Sequence, residues 1–319
     1  MVTPVSTQNS YSVILQDLIG SQNREMTAQQ QVATGKKGDD LTAFGDQTSN
    51  LVATTTVKAR VDGLVSQLNN LQVKLNFQQT ALGQVSDVAA NLKQTLMNAL
   101  ANGQGEGIMT DLNSFFSQAA QALNSQYGGD YLFSGGQTQT KPFTATDLSQ
   151  LSNYPFANPP VAGFFQNGDL TPANRIDDQT TITTGFLASN VGQQLMQVFQ
   201  DLQTFQQQPG NAFNGQLTQA QQDFLQTEVN TIDGVVSTTT DTTAQGGDIQ
   251  KRVEDATTAQ TDRQTTLTNV MGDITDVNMA KAASDLTQAQ TAVQASAQVF
   301  LALKGMSLLN YLTSSTSTG

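Results

Sequence analysis

The feature that most constrains this chain is a seven-residue apolar repeat. Val61, Leu68, Leu75, Leu82, Ala89 and Leu96 occupy one position, and Leu64, Leu71, Val85, Leu92 and Ala99 a second, with Gln78 the one polar interruption. A repeat of 3.5 residues kept over more than four heptads demands a long helix with one narrow apolar seam facing a partner helix. Helical from Val61 to Ala99, the segment spans about 58 Å at 1.5 Å per residue. The same rule governs the C-terminal stretch. Met279, Leu286, Val293 and Phe300 lie seven apart, interleaved with Ala282, Ala289, Ser296 and Leu303, a seam whose small residues let helices approach closely.

Two further stretches carry helical spacing. Tyr11, Ile14, Leu18, Ala28 and Val32 precede TGKKGDD, where Gly35 and Gly38 end the pattern. Between Gln216 and about Met271 the apolar positions include Leu217, Leu225, Val229, Ile232, Ile249 and Val253, with Gly234 and Gly246-Gly247 expected to bend or interrupt the helix. The middle is different. Between Gln137 and Gly185 fall Pro142, Pro155, Pro159, Pro160 and Pro172, with short runs such as KPFTAT, AGFFQNG and RIDDQTTITTGF that read as strands and turns. The predicted fold is therefore mainly α: an elongated antiparallel coiled-coil or helical-bundle rod with a small β-rich insertion domain and the termini together. Its parts are an N-terminal helix over 1–40, the outgoing half of the rod over 41–136, the insertion over 137–185, the returning half over 186–272, and a C-terminal helix and tail over 273–319.

Composition narrows the chemistry. The chain has no Cys, His or Trp, which removes thiol nucleophiles, His bases, disulfides and thiolate or imidazole metal sites together. No SxxK, GxSxG or HExxH occurs, so no catalytic residue, cofactor site or metal site is expected. TGKKGDD lacks GxxxxGK[ST] and reads as a solvated loop, and Asp39-Asp40 and Asp177-Asp178 read as surface charge. Tyr154, Phe156, Phe164 and Phe165 read as the core of the insertion. The formal charge of −12 repels nucleic acid and anionic membranes. Apolar density from Val299 to Leu312 is too short and too interrupted to span a bilayer, and MVTPVSTQNSYSVILQDLIG lacks the regions of a secretory signal.

Three motifs carry a resemblance. QQQVATGKKGDDLTAFGDQTSNL (29–51), GGDYLFSGGQTQTKPF (128–143) and TAVQASAQVFLALKGMSLLNYL (291–312) resemble the flagellin superfamily, most closely its hook-associated branch that joins hook to filament. Ala297 stands where that family commonly has Tyr. The resemblance implies a non-enzymatic structural component of the bacterial flagellum, extracellular, exported through a type III apparatus without a cleaved signal. It implies self-association into a ring or helical array, contact with a neighbouring hook-associated protein and with filament flagellin, and delivery by an export chaperone. The assembly interface expected on this basis comprises Ile14, Leu18, Val32, Leu286, Val293, Phe300, Leu303, Met306, Leu308 and Leu309. A filament flagellin, or a flagellin-like surface protein whose insertion binds polysaccharide, is the alternative. Periodicity by itself leaves open a bundle that folds alone and one that completes its seams on assembly.

Overall fold

The computed structural model describes residues 4–152 and 160–315, with side chains over 12–152 and 160–302. Six α-helices dominate: α1 (Pro4–Thr34), α2 (Thr48–Asn102), α3 (Ile108–Leu123), α4 (Ala188–Gln207), α5 (Gln219–Thr275) and α6 (Met279–Ser315). Among the described residues there are also two short antiparallel ribbons, β1 (Gln126–Tyr127) with β2 (Asp130–Tyr131) and β3 (Ala173–Arg175) with β4 (Thr181–Thr183), and three short 3-10 turns. The chain forms two compact units, one of residues 1–60 and 263–319 and one of residues 61–262.

In the 61–262 unit the heptads do what their period requires. Leu68, Leu82, Val85, Ala89, Leu92 and Leu96 are buried along one face of α2, and Leu225, Val229, Ile232, Val235 and Val253 along α5. The two helices run antiparallel. Gln79 Nε2 donates to the Thr243 carbonyl at 3.1 Å, while further along α2 Lys93 pairs with Asp233, which lies earlier in α5. α5 is continuous through Gly234 and Gly246-Gly247, so neither interrupts the helix. Gly246 instead permits contact: a Cβ there would meet the Gln79 side chain and lie 2.9 Å from Leu82 Cδ1. The glycine is a packing residue, and its helix-propensity cost of about 1 kcal/mol is offset by the close approach.

α3 and α4 complete the core of this unit. Phe116 of α3 meets Phe199 of α4 edge to face at 5.9 Å and Phe143 of the following segment at 6.1 Å. The segment between α3 and α4 has little regular structure, but its apolar residues Phe133, Phe143, Leu148, Leu151 and Val161 join the helical core. Phe164 and Phe165 pack against it; Tyr154 and Phe156 lie outside the described residues. The YLFSGG stretch is a buried corner. Ser134 Oγ donates to the Tyr131 carbonyl, and Gly135, at φ 65°, sits where a Cβ would strike the Gly168 and Leu170 carbonyl oxygens at 2.8 Å.

The interruption at Gln78 has a structural reason. Its side chain is 3% exposed, and its amide, oriented by its partners, donates to the Thr184 carbonyl at 3.0 Å and accepts from the Phe186 N–H at 3.2 Å. The hairpin of β3 and β4 lies on the same helix, Ile176 and Ile182 packing against Leu68, Leu71 and Leu75. A heptad position is thus given to a side chain that satisfies backbone leaving the hairpin. Gln78→Leu would complete the apolar repeat yet leave two backbone groups unpaired. It is expected to destabilise the chain by about 1–3 kcal/mol in urea unfolding followed by circular dichroism.

Candidate assembly interface

The 1–60/263–319 unit is built around the pairing of α1 with α6. On α1 the buried and half-buried side chains include the series Ile14, Leu18, Ser21, Glu25, Ala28 and Val32, spaced alternately four and three residues apart, with Gln31 beside it. On α6 the matching series is Ala282, Leu286, Ala289, Val293, Ser296 and Phe300. This alternation is the signature of a two-helix seam. Its most buried members are small: Ser21 and Ala28 on α1, Ala282 and Ala289 on α6. The larger members, Ile14, Leu18, Val32, Leu286, Val293 and Phe300, are half-buried at its edges.

The structure pairs the two helices that carry the seam residues read from the sequence, except that Met279, read as the first position of the α6 seam, is 48% exposed at the start of its helix. Leu303, Met306, Leu308 and Leu309 belong to α6, but their side chains lie outside the described residues. A second set, absent from the heptad reading, points away from the seam. Val13, Leu15, Ile19 and Met26 on α1 and Val299 and Leu301 on α6 are 40 to 64% exposed. These residues fall between the heptad positions, so a search for a single seam passes over them. Next to the pair, an apolar groove of about 580 Å³ opens among Leu41, Phe44, Leu51, Val52 and Met271, rimmed by Lys36 and Lys58.

The TGKKGDD loop fixes the base of the pair. α1 ends at Thr34, and Gly35 takes φ 70°, a left-handed conformation suited to glycine at a helix C-terminus. From there the backbone runs beside the α5–α6 junction: the Lys37 N–H donates to the Thr275 carbonyl at 2.8 Å and the Val277 N–H to the Gly35 carbonyl at 2.9 Å. Lys37 Nζ caps the end of α5 by donating to the Ile274 carbonyl at 2.6 Å, and Lys36 Nζ pairs with Asp276 at 2.6 Å. The solvated loop of the sequence reading is in fact a clasp, because its lysines meet the unpaired carbonyls and the acid at a helix end. The Lys36 and Thr275 hydrogen bonds hold the Asp276 carboxyl below its ordinary value.

Among the described residues no group of three acids could hold a metal ion, and no helix is long and apolar enough to cross a membrane. The arrangement offers surfaces for packing.

Residues 229–312, from within α5 almost to the end of α6, match the family model of the bacterial flagellin C-terminal helical region. The matched stretch includes the tail motif at 291–312 that carried the resemblance read from the sequence. Among solved structures it is similar to a protein of Vibrio parahaemolyticus described as a flagellar hook-associated protein, with 17% identity, a TM-score of 0.54, and coverage of 72% of this chain and 97% of that one. It is similar also to FlgL of Bacillus cereus, with 15% identity, a TM-score of 0.54, and coverage of 69% and 98%. At such identities the likeness is one of fold, and it extends over nearly all of both neighbours. No curated protein matches the sequence significantly.

The clasp makes a testable claim about charge. Because the folded Asp276 carboxyl titrates below its ordinary value, its contribution is present above about pH 4 and is lost as the pH falls through the folded value. In an NMR titration, Lys36→Met should move the Asp276 midpoint upward toward an ordinary aspartate; an unmoved midpoint would count against the clasp.

Proposed function

We propose that this chain is a structural subunit of the bacterial flagellum, a hook-associated junction protein that links hook to filament. The observation that carries the proposal is the α1–α6 pair. It closes a seam of small side chains and leaves larger apolar ones facing outward, and its α6 half lies largely within the stretch that matches the flagellin C-terminal helical region. Copies self-associate into a ring or helical array through these outward faces, together with the seam edges Ile14, Leu18, Val32, Leu286, Val293 and Phe300 and the α6 positions Leu303, Met306, Leu308 and Leu309. The flanking partners are a neighbouring hook-associated protein on one side and filament flagellin on the other. Delivery is by type III export without a cleaved signal, with an export chaperone shielding the terminal helices until they meet those partners. The work is mechanical and uses no cofactor.

Each fully buried Leu or Met contributes about 1.5–3 kcal/mol once water is excluded, and an unpaired charge in its place costs several. Leu301 is 64% exposed and Met26 62%, so a charge at either leaves the isolated chain intact and acts only where neighbours dock. Leu301→Asp and Met26→Asp are expected to be secreted with unchanged helical content and melting temperature. They should fail to incorporate at the hook tip, so that filament subunits leak into the medium and cells do not swim; Leu301→Met should restore swimming. Normal filaments on cells carrying Leu301→Asp would overturn the proposal.

A further inference from the structure

The most unusual buried group in the molecule lies far from the terminal helices in sequence, between α4 and α5. Phe205 of α4 and Phe224 of α5 stack at a centroid distance of 3.8 Å with ring planes 3° apart. From that fixed point the helices run antiparallel, so one turn back along α4 and one turn on along α5 bring Asp201 opposite Glu228. A turn further, Gln194 and Gln197 face Thr231, Gly234, Val235 and Thr238 across a cleft of about 420 Å³, in keeping with this register. Gln197 Nε2 donates from the cleft side to Asp201 Oδ1 at 2.9 Å.

Glu228 is 6% exposed, and its Oε2 is buried without a hydrogen-bond partner. Its neighbours on α5 are Leu225, Val229 and Ile232, all buried. The charged groups around it are few. On α4 there is Asp201. On α5, Asp223 is exposed and bonded to Gln219, and Asp233 is engaged by Lys93 of α2. Asp111 of α3, and Asp147 just before the turn that lies on α4, are exposed. Lys93 is thus committed one turn away, and Glu228 faces a like charge across an apolar seam. Two ionised carboxylates in that setting are costly, since burial penalises each charge and each repels the other.

We propose that Glu228, buried opposite Asp201, carries a proton in the folded chain and forms with Asp201 a proton-sensitive latch between α4 and α5. With the proton bound, one of the two like charges is gone and the apolar seam closes around a neutral carboxyl. When the proton leaves to solvent, the seam must hold two negative charges and the helix pair loosens. Burial and the Asp201 charge push the Glu228 carboxyl up to about 7, and burial raises Asp201 as well, in the direction the geometry demands. The latch concerns the 61–262 unit and stands whether or not the chain assembles into a flagellum.

The sign follows from linkage. A carboxyl whose folded value is raised contributes stability that is fully present below its unfolded value near 4.5 and is lost as the pH rises through about 7. In urea unfolding of the full chain between pH 5 and pH 8.5, the unfolding constant of the native protein relative to Glu228→Gln should rise by up to about tenfold per pH unit to pH 7 and then level off. NMR titration of the Glu228 carboxyl in the native protein should give a midpoint near neutrality, and Asp201→Asn should lower it. A native-to-Gln ratio that does not change with pH, a Glu228 midpoint in the ordinary carboxylate range, or a midpoint indifferent to Asp201→Asn would each overturn the latch. Should Glu228→Gln not fold, the two titrations decide the matter by themselves.

Discussion

The molecule turns on how little apolar surface α1 and α6 bury against each other. Where their seam is tightest it is lined by Ser21, Ala28, Ala282 and Ala289. Alanine at those positions allows close approach but removes only a methyl group from water, whereas a buried Leu or Phe removes several times as much. The α2–α5 seam in the other unit is lined by Leu, Val and Ile and is backed by Phe116, Phe133, Phe143 and Phe199. Two helices of more than thirty residues each that meet through small side chains gain little to set against an ordering cost of about 1–2 kcal/mol per residue. The apolar side chains that could supply the difference are present, but they face outward.

That imbalance is what an assembly subunit requires. A pair that satisfied itself would have no reason to dock, and one lacking its seam and clasp would present no defined surface. The clasp formed by Gly35, Lys36 and Lys37 with residues 274–277 holds the base of the pair through backbone hydrogen bonds and helix-end capping. It thereby sets the register in which Ser21 and Ala28 meet the alanines of α6.

The long helices were legible because a heptad is a direct statement about a helix face: each α2 position named from the repeat, apart from half-buried Leu64, is buried. The exceptions to the repeat were not legible, since each answers to a partner remote in sequence. Gln78 breaks the pattern for the sake of Thr184 and Phe186, and Gly246 reads as a helix breaker until Gln79 and Leu82 are seen across from it. Lys36 and Lys37 read as solvated charge because their acceptors lie about 240 residues away. Glu228 resembles any surface acid on a polar helix. Its burial beside Leu225, Val229 and Ile232 shows that it points inward. For the interface, periodicity marked the seam but passed over Val13, Ile19, Met26, Val299 and Leu301, because outward apolar residues on a paired helix follow no single stripe.

The central claim is that the α1–α6 pair is marginal alone and is completed by neighbours, and hydrogen exchange reads it most directly. In the isolated chain, amides of α1 and α6 should exchange orders of magnitude faster than those of the α2–α5 core, and the same amides should become protected when the protein is measured in purified hook–filament junctions. Equal protection of α1, α6 and the α2–α5 core in the isolated chain, unchanged on assembly, would contradict the account.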